Sequence, residues 1–257
     1  MAADLLRSGM ASPSLDRFLD ACVHTRQTIL VTGAAGAGKT TVLSALARHI
    51  PSHHRVVTLE TKRELRLAED TSGDRPSVVD LYGPDSNMEQ MFAAALRQSA
   101  HRLLLGDITT ATFAPWMRAA ASCAGSMATL RTQGSDPDGA LSTFLQLAED
   151  SESVFSTRLA SAMTATSIDL IVHVTSTGHP GDGKRRHFIS HVSEIENVSG
   201  MPVLTPVFAP SREDPRAVFQ IYPTFMSELT RSGRTQRTDL VDPGQGWPTP
   251  WSGDTPA

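Results

Sequence analysis

The chain has 257 residues, enough for one substantial core and too few for two full domains. A formal charge of −4 with both signs interspersed provides no basic stripe for a phosphate backbone, so nucleic acid is not expected as a direct partner. Cys22 and Cys123 are too few for a disulfide framework or a Cys-based zinc site, no charged-then-apolar leader opens the chain, and no apolar run nears the ~20 residues that cross a bilayer, so a reducing cytoplasm is expected.

Residues 1–26 read as short amphipathic helices, with Leu15, Phe18, Leu19 and Cys22 on one side and a start at Ser12 or Ser14. "QTILVTG" is a buried strand, and "KTTVLSALARHI" is a helix stopped by Pro51. "HRVVTLE" is a second strand, the charged "TKRELRLAED" a turn or coil, and "SVVDLYG" a candidate third strand. A helix over "NMEQMFAAALRQSA", a strand over "HRLLLGD", a helix over "FAPWMRAAASCA" and a short strand over "GSMATLRT" follow. Two helices, "DGALSTFLQLAE" and "SVFSTRLASAMT", lead to the strand "IDLIVHVTS". "RRHFISHVSEIEN" and "PVLTPVFAP" read as a terminal meander. This alternation predicts an α/β domain over residues 27–226, with a largely parallel central sheet flanked by helices. Residues 227–257, rich in Gly, Pro, Ser and Arg, read as a disordered tail.

The chemistry begins at residues 33–40. Gly33, four residues, then Gly38, Lys39 and Thr40 satisfy the G-x-x-x-x-G-K-[ST] pattern between a strand and a helix, as a phosphate loop requires. Gly33, Ala34, Ala35, Gly36, Ala37, Gly38 and Thr41 supply a small-residue backbone whose amides can face a phosphate at the positive end of the helix. Lys39 is placed to reach the β- and γ-phosphates, and Thr40 to ligate Mg²⁺. No Asn-Lys-x-Asp guanine signature is present, which favours ATP over GTP.

At "VVTLETKREL", "HRLLLGDI" and "GSMATL" the chain resembles the C-terminal ATPase domain of type II and type IV secretion ATPases, in particular the CpaF-type ATPases of Tad/Flp pilus assembly. The resemblance runs from about Leu5 to Phe208. It implies a RecA-like fold, a hexameric ring, and ATP turnover at the cytoplasmic face of a membrane beside a pilus or secretion platform protein. Members of that family carry a further N-terminal domain of which only a stub fits here, pointing to a shortened relative or to a partner chain that supplies it.

The resemblance also implies site residues. In the first acidic box, Thr58, Leu59, Glu60 and Thr61 keep the glutamate that orients or deprotonates the attacking water and lack its acidic neighbour. In the second, Gly106, Asp107, Ile108 and Thr109 stand where Gly, Glu, an apolar residue and Arg are usual; Asp107 is the metal-side acid, and Thr109 replaces a cation. In the third, "GSMATLR" puts Arg131 in place of a histidine, as a forked donor toward the γ-phosphate. Two readings follow: a motor ATPase, with hydrolysis weakened by these departures, and an ATP-binding regulatory or structural subunit that hardly turns ATP over.

Other features carry less. His187 and His191 alternate on one face of their strand without the acidic or cysteine companions a metal site needs. "GKRR" at 183–186 reads as an exposed hairpin turn, and Trp247 and Trp251 as ordinary tail residues or a short docking motif. No G-x-S-x-G elbow supports a serine hydrolase.

Overall fold

The structure, a computed structural model, describes residues 5–69, 75–134, 136–151, 156–179, 183–241, 246, 247 and 251. Helix α1 (Pro13–His24) starts where Ser12 caps it: the Ser12 hydroxyl accepts from the Leu15 amide, and Pro13 supplies a preset φ. Its buried side, Leu15, Phe18, Leu19 and Cys22, makes α1 part of the main core.

The phosphate-loop strand β1 (Ile29–Gly33) feeds α2 (Lys39–Ala47). Helix α2 ends before the expected stop at Pro51, because Arg48 and His49 donate to Ala45 and Leu46 and tighten the last turn. Strands β2 (Arg55–Glu60) and β3 (Ser77–Tyr82) follow, then α3 (Met88–Arg97) and β4 (Arg102–Leu105). Next come α4 (Thr110–Ser122), β5 (Met127–Arg131), α5 (Pro137–Asp150) and α6 (Thr157–Ser167). The chain continues through β6 (Leu170–Gly178), β7 (Arg185–Val198), β8 (Met201–Ala209) and a two-residue β9 (Val218–Phe219).

Among the described residues, nine strands form one sheet in the order β3-β2-β4-β5-β1-β6-β7-β8-β9. Neighbours from β3 to β6 run parallel, and the rest is an antiparallel meander. This is the expected RecA-like α/β architecture with its terminal meander. The strand period of two divides the core cleanly: Ile29, Val31, Leu104, Leu170 and Val172 face α1 and α2, whereas Leu30, Leu103, Leu105 and Ile171 face α4 and α5. Because β4, β5 and β1 are neighbours and parallel, the ends carrying Gly106, Arg131 and Gly33 emerge together on one rim. Ligands of open parallel sheets bind at this rim.

Two expectations are corrected. The segment from Ser227, read as disordered, contains α7 (Met226–Arg231) and α8 (Arg237–Val241). Met226, Leu229 and Leu240 are buried against the α1 side of the sheet, and Arg17 pairs with Asp239 across the contact at 3.7 Å. Leu229 and Leu240, with Met226 just before them, dock a segment whose average composition is polar. Residues 242–245, 248–250 and 252–257 of the expected tail lie outside the described residues. The second correction concerns His187 and His191. The β6–β7 register slips between His173 and Val174, leaving Ser190 without a facing partner, so the two histidines point to opposite sides of the sheet. His187 meets the phosphate loop at Ala37, and His191 packs edge-on against His173.

Candidate functional site

The loop between β1 and α2 is closed by short-range bonds: Ala37 N–H donates to the Ala34 carbonyl at 3.2 Å, and Val42 N–H to Gly38 at 3.0 Å. Gly38, at φ 102°, adopts a turn that side-chain-bearing residues rarely enter. Gly33, at φ 148°, passes so close to β6 that a Cβ there would lie 2.2 Å from the Val174 carbonyl oxygen. From the other side the His187 Nδ1 donates to the Ala37 carbonyl at 3.0 Å, tying β7 to the loop.

A cavity of about 490 Å³ opens in front of the loop. Of the predicted loop residues, Ala35, Gly36, Gly38, Lys39, Thr40 and Thr41 line it. Gly33, Ala34 and Ala37 do not; they shape the turn from behind, and the Lys39 ammonium donates to the Ala34 carbonyl at 2.8 Å. Burial lowers the Lys39 pKa, and Asp107 opposes that shift while Arg131 reinforces it. The three charges therefore act on one another across a single hollow, as the strand order requires.

Three carboxylates share the cavity. Glu60, at the end of β2 and only 3 % exposed, accepts the Glu64 and Leu65 amides on Oε1 at 3.1 and 3.0 Å and lies against Gly106. Burial raises its pKa against those amides, and Asp80 and Glu64 add to the rise. Asp107, one residue beyond Gly106, is raised chiefly by burial, with Lys39 and Arg131 pulling it back. Its Oδ1 is buried and has no hydrogen-bond partner among the described residues. The Thr129 hydroxyl beside it donates to the Gly106 carbonyl, which fixes the turn that presents Asp107.

The third acid, Glu64, was not anticipated from the residues. It is exposed at the cavity, and its Oε2 accepts the Thr40 hydroxyl at 3.2 Å. The signal was its place four residues after Glu60 in an irregular segment: the two amides donated to Glu60 curl the chain back so that Glu64 returns to the loop.

Arg131 ends β5 opposite Gly33 and lines the same cavity. Thr109 does not line it. Its amide donates to the Thr112 Oγ1 at 2.8 Å as the cap of α4, so a helix cap stands where the resemblance implies a phosphate-facing cation. A larger hollow of about 700 Å³ adjoins the loop, sharing Gly36, Gly38 and Thr41 with the first.

The residues present fit a magnesium–nucleotide pair. An orphaned buried carboxylate oxygen, a threonine hydroxyl and a lysine line one cavity at the glycine-rich turn, a donor set of hard oxygens beside a cation. Among the described residues no group of three or more His, Cys, Asp or Glu side chains is arranged to hold a metal ion by itself, and no helix is long and apolar enough to cross a membrane.

The profile of the type II/IV secretion system protein family matches residues 1–183. The chain is 30% identical over 182 residues to the type IV secretion system protein PtlH of Bordetella pertussis, covering 68% of this chain and 52% of PtlH. Against the protein VirB11 of Agrobacterium fabrum it is 31% identical over 173 residues, covering 64% and 48% respectively. Among solved structures, the VirB11 ATPase of the Brucella suis type IV secretion system superposes with a TM-score of 0.58 at 25% identity, over 73% of this chain and 53% of that one. The chain thus spans about half the length of the relatives it matches. With the matched fold, the phosphate loop and the acids on one rim, the chain belongs to the type II/IV secretion system protein family.

Proposed function

We propose that the chain binds Mg²⁺–ATP on the loop from Gly33 to Thr41 and hydrolyses it, as a motor subunit of a pilus or secretion machine. The observation that carries this reading is the convergence of Lys39, Thr40, Glu60, Glu64 and Asp107 on one cavity. The Brucella VirB11 ATPase was solved with sulphate, an anion of phosphate's shape and charge, which supports an anion site in this fold. Within the family, the CpaF-type branch serving Tad/Flp pili is the finer assignment. The partners are other subunits of a ring and a membrane platform protein at the cytoplasmic face.

The loop amides and Lys39 hold the triphosphate, with Arg131 at its γ end. Thr40 and Asp107 are the residues that hold Mg²⁺. Held there, the ion would supply positive charge to offset the charge of the transferring phosphoryl group. Glu60, anchored through Oε1 by two amides, takes a proton from the attacking water on its other oxygen, and its raised pKa suits that task. The water oxygen bonds to the γ-phosphorus as the bond to the β–γ bridging oxygen breaks, leaving ADP and phosphate. Glu64 orients Thr40 from the solvent side.

One observation favours the second reading, an ATP-binding regulatory subunit. Thr109 is committed to capping α4, so no cation stands at its position to stabilise the charge of phosphoryl transfer. Steady-state phosphate release separates the two. Release that disappears in Glu60→Gln while ATP binding persists supports the motor. No release from the unaltered chain, alone or with neighbouring pilus and secretion proteins, supports the regulatory subunit.

A further inference from the structure

The hollow beside the phosphate loop contains an aromatic and cationic group that the phosphate chemistry does not use. Trp251, from the segment after α8, packs edge-on against Phe188 of β7 with ring centroids 5.1 Å apart, and against His179 at 5.0 Å. All three line the 700 Å³ hollow with Gly36 and Gly38. Trp251 is also one side of a clamp. The Arg216 guanidinium lies 5.2 Å from its ring centroid and 4.5 Å from that of Trp247.

That clamp is built rather than incidental. Arg216 is 7% exposed and engages both carboxylate oxygens of Asp214, through Nε at 2.8 and 3.1 Å and through a terminal nitrogen at 2.6 Å. Trp247 is pinned in turn by its indole N–H, which donates to the Ala217 carbonyl at 2.8 Å. The two tryptophans therefore have fixed partners in a polar segment.

We propose that Trp251 is the stacking wall of a nucleoside subsite, against which the base of a bound nucleotide lies while its phosphates occupy the loop. This rests on the reading of the loop as a triphosphate site. Three observations carry it beyond that reading. The hollow shares Gly36, Gly38 and Thr41 with the phosphate cavity, so the two hollows meet at one turn and one ligand can reach both. Its volume accommodates a nucleoside. Its lining pairs an aromatic face, suited to any base, with Arg185, which is bonded to Ser176, as a fixed positive charge near sugar and α-phosphate. The Arg216 cation and its Asp214 partner hold the indole plane in place, so Trp251 binds base and Arg216 positions Trp251.

The test compares ATP with inorganic tripolyphosphate, which carries the phosphates without the base, by isothermal titration on the full chain. Trp251→Ala is expected to weaken ATP binding about tenfold or more and to leave tripolyphosphate affinity unchanged, with Trp251→Phe recovering most of the loss. In the unaltered chain ATP should change tryptophan fluorescence, and tripolyphosphate should not. Unchanged ATP affinity in Trp251→Ala overturns the subsite, and so does tighter binding, which would mean that the indole occupies the base's place. Failure of both ligands to bind the unaltered chain overturns the phosphate-loop reading itself, and the subsite with it.

Discussion

The Thr40 hydroxyl donates to the Glu64 carboxylate at 3.2 Å, joining the first turn of α2 to the segment after β2. This bond crosses the place proposed for the metal-holding oxygens, and on that proposal the two glutamates have different roles. Glu60→Gln should lower turnover at least a hundredfold while ATP and Mg²⁺ affinity stay near the original values. Glu64→Gln should raise the Mg²⁺ concentration needed for half-maximal turnover, with a smaller fall at saturation. Magnesium titrations of both variants decide this, and the reverse pattern would exchange the two roles.

Asp107 should show a stability–activity trade. Its carboxyl is raised above the usual range by burial, so the folded state holds the proton more tightly than the unfolded chain does. Such a group favours folding below the unfolded value near 3.8 and loses that contribution as pH rises through its folded pKa. Asp107→Asn should therefore stabilise the chain at neutral pH, by about 1 kcal/mol, while removing magnesium-dependent turnover. Denaturant melts at pH 7 and pH 3.5 test this, with the advantage present at the first and absent at the second.

His49 makes the opposite prediction. Burial alone would lower its pKa, yet bonds to Asp16 and Asp20 raise it to about 9. Its Nδ1 lies 3.0 Å from Asp20, which links α1 to the end of α2. The charged form is favoured in the folded state, so this contribution is full below 6.5 and lost as pH rises through about 9. Stability should fall between those values by on the order of 1–2 kcal/mol, allowing for partial exposure of the ring. His49→Gln should flatten the profile, and an unchanged alkaline slope would contradict the assignment.

Gly33 tests the loop geometry. A methyl there meets the Val174 carbonyl at 2.2 Å, and the backbone at φ 148° is one that L-residues avoid. Gly33→Ala should cost about 2–3 kcal/mol of stability and displace the loop. Thermal melts and ATP titration of that variant check both effects together.

The parallel sheet, the phosphate loop and the shared rim were legible because each left a local mark: aliphatic runs for β1 and β4, glycines before Lys39, an acid one glycine beyond β4. What was not legible depended on distant partners. Glu64 reaches Thr40 only because Glu60 collects two amides and bends the segment between them. The bulge at Ser190 separates His187 from His191 and has no composition signal. Leu229 and Leu240 dock on the α1 side although their surroundings are polar, and Trp247 and Trp251 gain meaning only from Arg216, more than thirty residues before them.

The central claim is that the turn before α2 grips a triphosphate through its amides and Lys39. Calorimetric titration of Mg²⁺–ATP into the unaltered chain and into Lys39→Ala tests it most directly. Saturable one-to-one binding is expected in the first and its loss in the second, with both chains equally folded. Equal affinity in the two would contradict it.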